Sequence, residues 1–193
     1  MEKMLSPHAS LISQPIRPLK RVEYDKLVAD GCFQDERVEL VFGMVVEMSP
    51  IDQAHHESVR RIYKALLERI GGRGTVWSQS SFAATDDSEP EPDVCVTPSG
   101  DHWHTRPDHA FLVVEVARSS LRYDRGPKAL LYGISHVDEY WIVNHVDGCI
   151  EVYRDRRSDG TWATCTTFTR GQRVAMQAFA DVEIDVADVL PPA

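Results

Sequence analysis

Cysteine is scarce: Cys32, Cys95, Cys149 and Cys165 are the only four in 193 residues, and no two stand in the Cys-x-x-Cys spacing of zinc ribbons and redox sites. This argues against a disulfide-stapled scaffold and predicts free, buried thiols in a reducing compartment. Basic residues are also in deficit, 21 against 30 acidic, for a net charge of −9. That excludes a protein coated in positive charge, such as a non-specific nucleic-acid packager, but not a local basic groove. No apolar run approaches the length of a membrane span, and the first residues lack the apolar stretch of a signal peptide. The expectation is a cytoplasmic protein with no membrane partner. Internal repeats are absent, and so are low-complexity tracts beyond the N-terminal segment.

What is there suffices for one packed core, since 42% of the residues are hydrophobic and the chain is short for two ordinary domains. Residues 1–20 carry Pro7, Pro15 and Pro18 among polar residues without periodicity and read as a flexible arm. Residues 21–193 read as a single domain. Tyr24, Leu27 and Val28 fall at helical spacing before Gly31. Between Val38 and Met48 apolar residues occupy every second position on either side of Gly43, the pattern of two strands or one strongly bent strand. His55, Val59, Ile62, Tyr63, Leu66, Leu67 and Ile70 then recur three or four apart, which predicts a long helix with Asp52 as its N-cap.

Strands are expected at Thr75 to Phe82, Asp93 to Thr97, Phe111 to Ala117, Glu139 to Asn144, Cys149 to Arg154 and Thr161 to Phe168. Asp147-Gly148 and Asp159-Gly160 are hairpin signals. Leu130, Leu131 and Ile134 predict a helix between Asp124 and Ser135. The class is α/β or α+β, a mixed β-sheet flanked by helices.

Carboxylates stand where a core should be. Phe111-Leu112-Val113-Val114-Glu115-Val116-Ala117 is the continuous apolar run of a central strand, interrupted by one acid. Glu115 is expected to be partly buried and to need a cation or hydrogen bonds as partner, the alternatives to a site role being a salt bridge to an arginine or a strand end in water. Asp93 follows Pro92 at the head of another strand, where the alternative is a turn-capping aspartate. Glu39 lies between Val38 and Leu40 and points opposite their face, so it is either a solvated strand residue or a third acid of the same group. Three acids on three strands form a natural cage for a hard divalent cation, Mg2+ or Mn2+, with Asp93, Glu115 and Glu39 as the metal ligands.

The negative total is reversed locally, because Arg118, Arg122, Arg125 and Lys128 fall within eleven residues against the single Asp124. A lysine reaching a metal site can orient the attacking water and stabilise charge on a phosphoryl group, while the arginines bind flanking phosphates. The alternative is an exposed loop and helix face. Tyr132 stands one helical turn beyond Lys128 and either bonds into the site or packs. His102, Trp103, His104 and His109 read as a loop rather than a zinc site. Trp77, Trp141, Tyr140 and Tyr153 are spread over strands and read as core or interface.

Taken in order, Arg37-Val38-Glu39-Leu40-Val41-Phe42-Gly43, Met48-Ser49-Pro50 with His55, Glu91-Pro92-Asp93-Val94, Leu112-Val113-Val114-Glu115-Val116, Tyr123-Asp124-Arg125-Gly126 with Lys128 and Tyr132, and Glu139-Tyr140-Trp141-Ile142-Val143 form a specific series. The series resembles the Uma-type family of restriction endonucleases within the PD-(D/E)xK nuclease superfamily, over about Tyr24 to Leu190. The resemblance implies a restriction-endonuclease-like core and metal-dependent hydrolysis of phosphodiester bonds in DNA. Asp93 and Glu115 would be metal ligands, Glu39 would come from the early strand, and His55 would be an accessory. In the wider superfamily a lysine follows the second acid by two positions; Ala117 stands there, so Lys128 would supply the amine. The resemblance also implies self-association as a homodimer or higher homo-oligomer, with the edges of the late hairpins as the surface to be covered. The rival reading is a catalytically inactive nucleic-acid-binding or assembly module on the same fold.

Overall fold

The computed structural model describes residues 15–192, so residues 1–14 of the expected arm lie outside the described residues. Leu19 N–H donates to Gly43 O at 3.0 Å and Arg21 N–H to Asp86 O at 2.7 Å, which ties the start of the chain to the first hairpin. Helix α1, Arg21–Ala29, opens with Lys20 N–H donating to the Glu23 carboxylate and buries Tyr24, whose hydroxyl donates to Val38 O at 3.0 Å.

Strands β1, Val38–Val41, and β2, Met44–Glu47, form an antiparallel hairpin. Gly43 has φ +72°, and a Cβ there would run into Pro18, so the turn needs glycine for its conformation and for its space. All four residues of β1 are buried, because Leu40 also exchanges backbone hydrogen bonds with Glu89 on the other side.

Helix α2, Gln53–Ile70, is capped by Asp52, which accepts from His55 N–H at 2.8 Å, and it is closed by Gly71. Then follow β3, Thr75–Ser78, β4, Val94–Thr97, β5, His109–Ala110, and β6, Leu112–Ala117. Strand β3 stops short of the expected Phe82 because Gln79 takes φ 48°, turning the chain off the sheet.

The helix expected from Asp124 to Ser135 is composite. It comprises α3, Leu121–Tyr123, a π-helical turn over Asp124–Lys128, and α4, Ala129–Ile134. Pro127 lies in that turn and has no N–H, and Ala129 N–H bonds back to Asp124 O, the wide i to i+5 spacing.

The chain continues through β7, His136–Val137, β8, Tyr140–Asn144, β9, Cys149–Arg156, and β10, Trp162–Thr169. It closes with β11, Arg173–Ala175, β12, Glu183–Asp185, and α5, Val186–Val189.

Six strands form the main sheet in the order β10-β9-β8-β6-β4-β3; β6 and β8 are parallel and the other pairs antiparallel, the mixed sheet expected. The π-containing helical segment is the crossover between the two parallel strands. Alternation along β6 sends Leu112, Val114 and Val116 against Val59, Ile62, Leu66 and Ile70 of α2. Val113 and Ala117 pack on the opposite face with Ala129, Leu131 and Tyr132. Glu115 shares that second face by parity.

The sequence beyond Phe168 shows no strand or helix period, yet Val174, Ile184, Val186 and Val189 are buried with α2. All four cysteines are free as expected, but Cys32 and Cys165 are exposed and only Cys95 and Cys149 are buried. No helix among the described residues is long and apolar enough to cross a membrane.

Candidate functional site

The register of β4 with β6 pairs Val94 with Val114, so one step further Asp93 meets Glu115 at the end of the strand pair. The two are joined through the backbone: Val116 N–H donates to Asp93 Oδ2 at 2.8 Å, and Asp93 N–H lies 3.4 Å from Glu115 Oε2. From β1 the alternation that turns Val38 and Leu40 toward α1 turns Glu39 toward the sheet, where it is 3% exposed. The solvated alternative for Glu39 is therefore overturned.

Lys128, at the end of the π turn, is buried between two of these acids, with Nζ 2.7 Å from Glu39 Oε2 and 3.1 Å from Glu115 Oε1. Tyr132 OH donates to Glu115 Oε1 at 2.6 Å, so the alternative of mere packing is excluded. His55 Nε2 lies 2.9 Å from Asp93 Oδ1. Glu39 is engaged at both oxygens: Oε1 accepts from Tyr123 OH at 3.2 Å, and Oε2 from Glu91 N–H as well as Lys128.

Glu39, His55, Asp93, Glu115 and Lys128 line a pocket of about 210 Å³ with Tyr123 and Asp124, while Tyr132 supports Glu115 from behind it. In the sequence Asp124 stands as the counter-charge to a basic run and within the Tyr123-Asp124-Arg125-Gly126 segment, with no site role assigned to it. It is buried, and its Oδ2 has no hydrogen-bond partner among the described residues. The signal that points to it is its position four residues before Lys128, which places both on one helical face.

Four carboxylates crowded out of water around one ammonium are undercompensated. Burial pushes Glu115 up to about 8 despite the Lys128 ammonium, and pushes Asp124 up to about 6. Burial works against a charged Lys128, but Glu115 and Glu39 outweigh it and raise the amine. Burial likewise opposes the His55 imidazolium, and the hydrogen bond and charge of Asp93 overcome it.

As the side chains stand, no three His, Cys, Asp or Glu groups among the described residues are arranged as a ligand set, and Lys128 and His55 lie against oxygens of the acids. The donor chemistry nevertheless fits a hard divalent cation: the acids offer oxygen only, and one buried carboxylate oxygen is orphaned.

The three arginines do not converge on this point. Arg118 is paired with Asp52 at 2.8 Å, and Arg125 with Glu151 at 2.6 Å and Asp147 at 3.0 Å. With Arg122 they border a neighbouring surface hollow beside Ser119.

The sequence matches the Uma2 family, described as "Putative restriction endonuclease", over residues 22–187. No curated protein matches it. A crystal structure of a protein titled a putative nuclease belonging to DUF820, from Anabaena variabilis, superposes with a TM-score of 0.72. It covers 89% of this chain and 97% of that one at 13% sequence identity, a likeness of fold.

Proposed function

This chain belongs to the Uma2 family, and from that membership and the pocket's geometry we propose that it is a metal-dependent endonuclease hydrolysing phosphodiester bonds of DNA. The observation that carries the reading is the buried Lys128 ammonium 3.1 Å from Glu115, in one pocket with Asp93 at the end of the β4–β6 pair. Buried acids with perturbed protonation around a fixed cation in a concave site suit catalysis on an anionic substrate.

Asp93 and Glu115 would hold a divalent cation, Mg2+ or Mn2+, which neutralises the scissile phosphate and acidifies water. Val116 N–H fixes the Asp93 carboxylate, and Tyr132 OH fixes Glu115. Lys128 Nζ donates to oxygens that gain charge as the bond breaks. Glu39, both of whose oxygens are engaged, serves in this reading to orient that amine. His55 steadies Asp93 from the start of α2. Arg122, exposed on α3, and the paired Arg118 and Arg125 meet flanking phosphates.

Self-association fits β10. This eight-residue edge strand, Trp162–Thr169, carries no charged side chain and leaves one row of backbone groups open to a second copy.

The test is a nicking and cleavage assay on supercoiled, linear and single-stranded DNA in magnesium or manganese, comparing the wild type with Asp93→Asn. Cleavage by the wild type alone is the expected result. Equal cleavage by both proteins, or by neither, overturns the assignment.

A further inference from the structure

Resting on the metal-dependent reading of this pocket, we propose that Asp124 supplies a carboxylate ligand to the divalent cation, alongside Asp93 and Glu115. Glu39 has no oxygen free, since Oε1 serves Tyr123 and Oε2 serves Lys128 and Glu91 N–H. Asp93 gives Oδ2 to Val116 N–H and Oδ1 to His55. Glu115 gives Oε1 to Tyr132 and Lys128, while Oε2 has only the long 3.4 Å contact with Asp93 N–H. Among the acids of β1, β4, β6 and the π turn, the oxygens without a close donor are therefore Glu115 Oε2 and Asp124 Oδ2, and Asp93 would join them by exchanging the His55 contact at its Oδ1 for the metal.

Asp124 is 4% exposed and its Oδ2 meets no donor among the described residues. A buried carboxylate oxygen without a donor is costly, and folds rarely retain one without a use. The pocket that Asp124 lines is the one that Glu115 and Asp93 line.

Its placement is also built. The Asp124 carbonyl accepts from Ala129 N–H across the π turn and from Tyr140 OH at 3.2 Å, so the main chain is held from two directions. A π turn inserted in a helix commonly serves a functional site, and this one brings Asp124 and Lys128 to the same pocket. A hard divalent cation takes carboxylate oxygens of this kind and retains waters on its remaining positions.

The experiment measures Mn2+ binding to the full chain without DNA, by calorimetry and by the electron paramagnetic resonance of free Mn2+, together with thermal unfolding of the metal-free protein. The wild type is compared with Asp93→Asn and Asp124→Asn. Expected for Asp124→Asn is Mn2+ affinity weaker by about 10–100-fold, with metal-free unfolding unchanged or moved to higher temperature, because an uncompensated buried charge has gone.

Should that variant not fold, Asp124→Glu keeps the charge and displaces the oxygens by one methylene. A tenfold or larger change in affinity is expected there as well. Mn2+ affinity within twofold of wild type in the folded variant overturns the proposal, and if Asp93→Asn has lost binding, the metal site itself still stands. Failure of the wild type to bind Mn2+ at all overturns both the metal site and the role of Asp124.

Discussion

Lys128 and Glu39 lie 89 positions apart in sequence and meet at 2.7 Å, with both side chains almost wholly out of water. Their pairing, completed by Glu115 on the other side of the ammonium, keeps two buried carboxylates compensated where β1, β6 and the π turn converge. Replacing Lys128 by methionine leaves both acids without their cation. The expected loss is about 3–5 kcal/mol, read by urea unfolding, together with loss of DNA cleavage. Adding Glu39→Gln to Lys128→Met removes one stranded charge, so the double variant should be more stable than the sum of the two single losses. A loss below about 1 kcal/mol for Lys128→Met would contradict the buried pairing.

Tyr132→Phe removes one hydroxyl and keeps the ring that packs on Tyr140 at a centroid distance of 4.9 Å. The hydrogen bond to Glu115 goes with it, at a cost of about 0.5–1.5 kcal/mol while that carboxyl is protonated and about 1.5–3 kcal/mol above its titration, where it is charged. A donor to the carboxylate favours its ionised form, so its loss should raise the Glu115 titration above about 8 in the metal-free protein. Carboxyl carbon NMR checks the direction, and an unmoved or lowered titration refutes the positioning role.

Glu89 offers a pH prediction remote from catalysis. Burial pushes its carboxyl up to about 7, outweighing the Arg106 guanidinium 2.9 Å away, whereas the unfolded chain titrates near 4.5. Between those values the folded state binds more protons than the unfolded state, so this residue's contribution is complete below about 4.5 and is lost as pH rises through 7. Glu89→Gln should flatten the fall of stability over that interval in unfolding curves taken at several pH values. An unchanged slope would show that Glu89 is ionised throughout.

Gly133 lies in α4 directly under the β9–β10 hairpin, and a Cβ there would strike the Gly160 carbonyl. Because that obstacle is backbone, relief means moving the hairpin, and Gly133→Ala should cost about 1–3 kcal/mol or more. Gly126→Ala, in the π turn with nothing within 4 Å, is the control and should be near neutral. Comparable melting temperatures for the two variants would rule out this contact.

The parts legible in the sequence are those written in local periodicity. The apolar run around Glu115 announced a central strand with a buried acid, the three-to-four spacing after Asp52 announced α2 with its cap, and Gly43 announced the hairpin. Glu39 was ambiguous because alternation says which face a residue shares but not what lies against that face; β1 proved buried on both sides. The C-terminal β11, β12 and α5 are too short to show a period, and they are ordered by packing against α2.

Local pattern sets out the acids, the strand that carries Glu115 in its apolar run, and the family series in which these stand. Long-range packing is what registers Asp93 against Glu115, closes Glu39 and Lys128 on each other, and leaves Asp124 with an open oxygen in the same pocket. The physical reason is that strand register, desolvation and charge compensation are settled between segments far apart in the chain, where the local pattern carries no record of its partner.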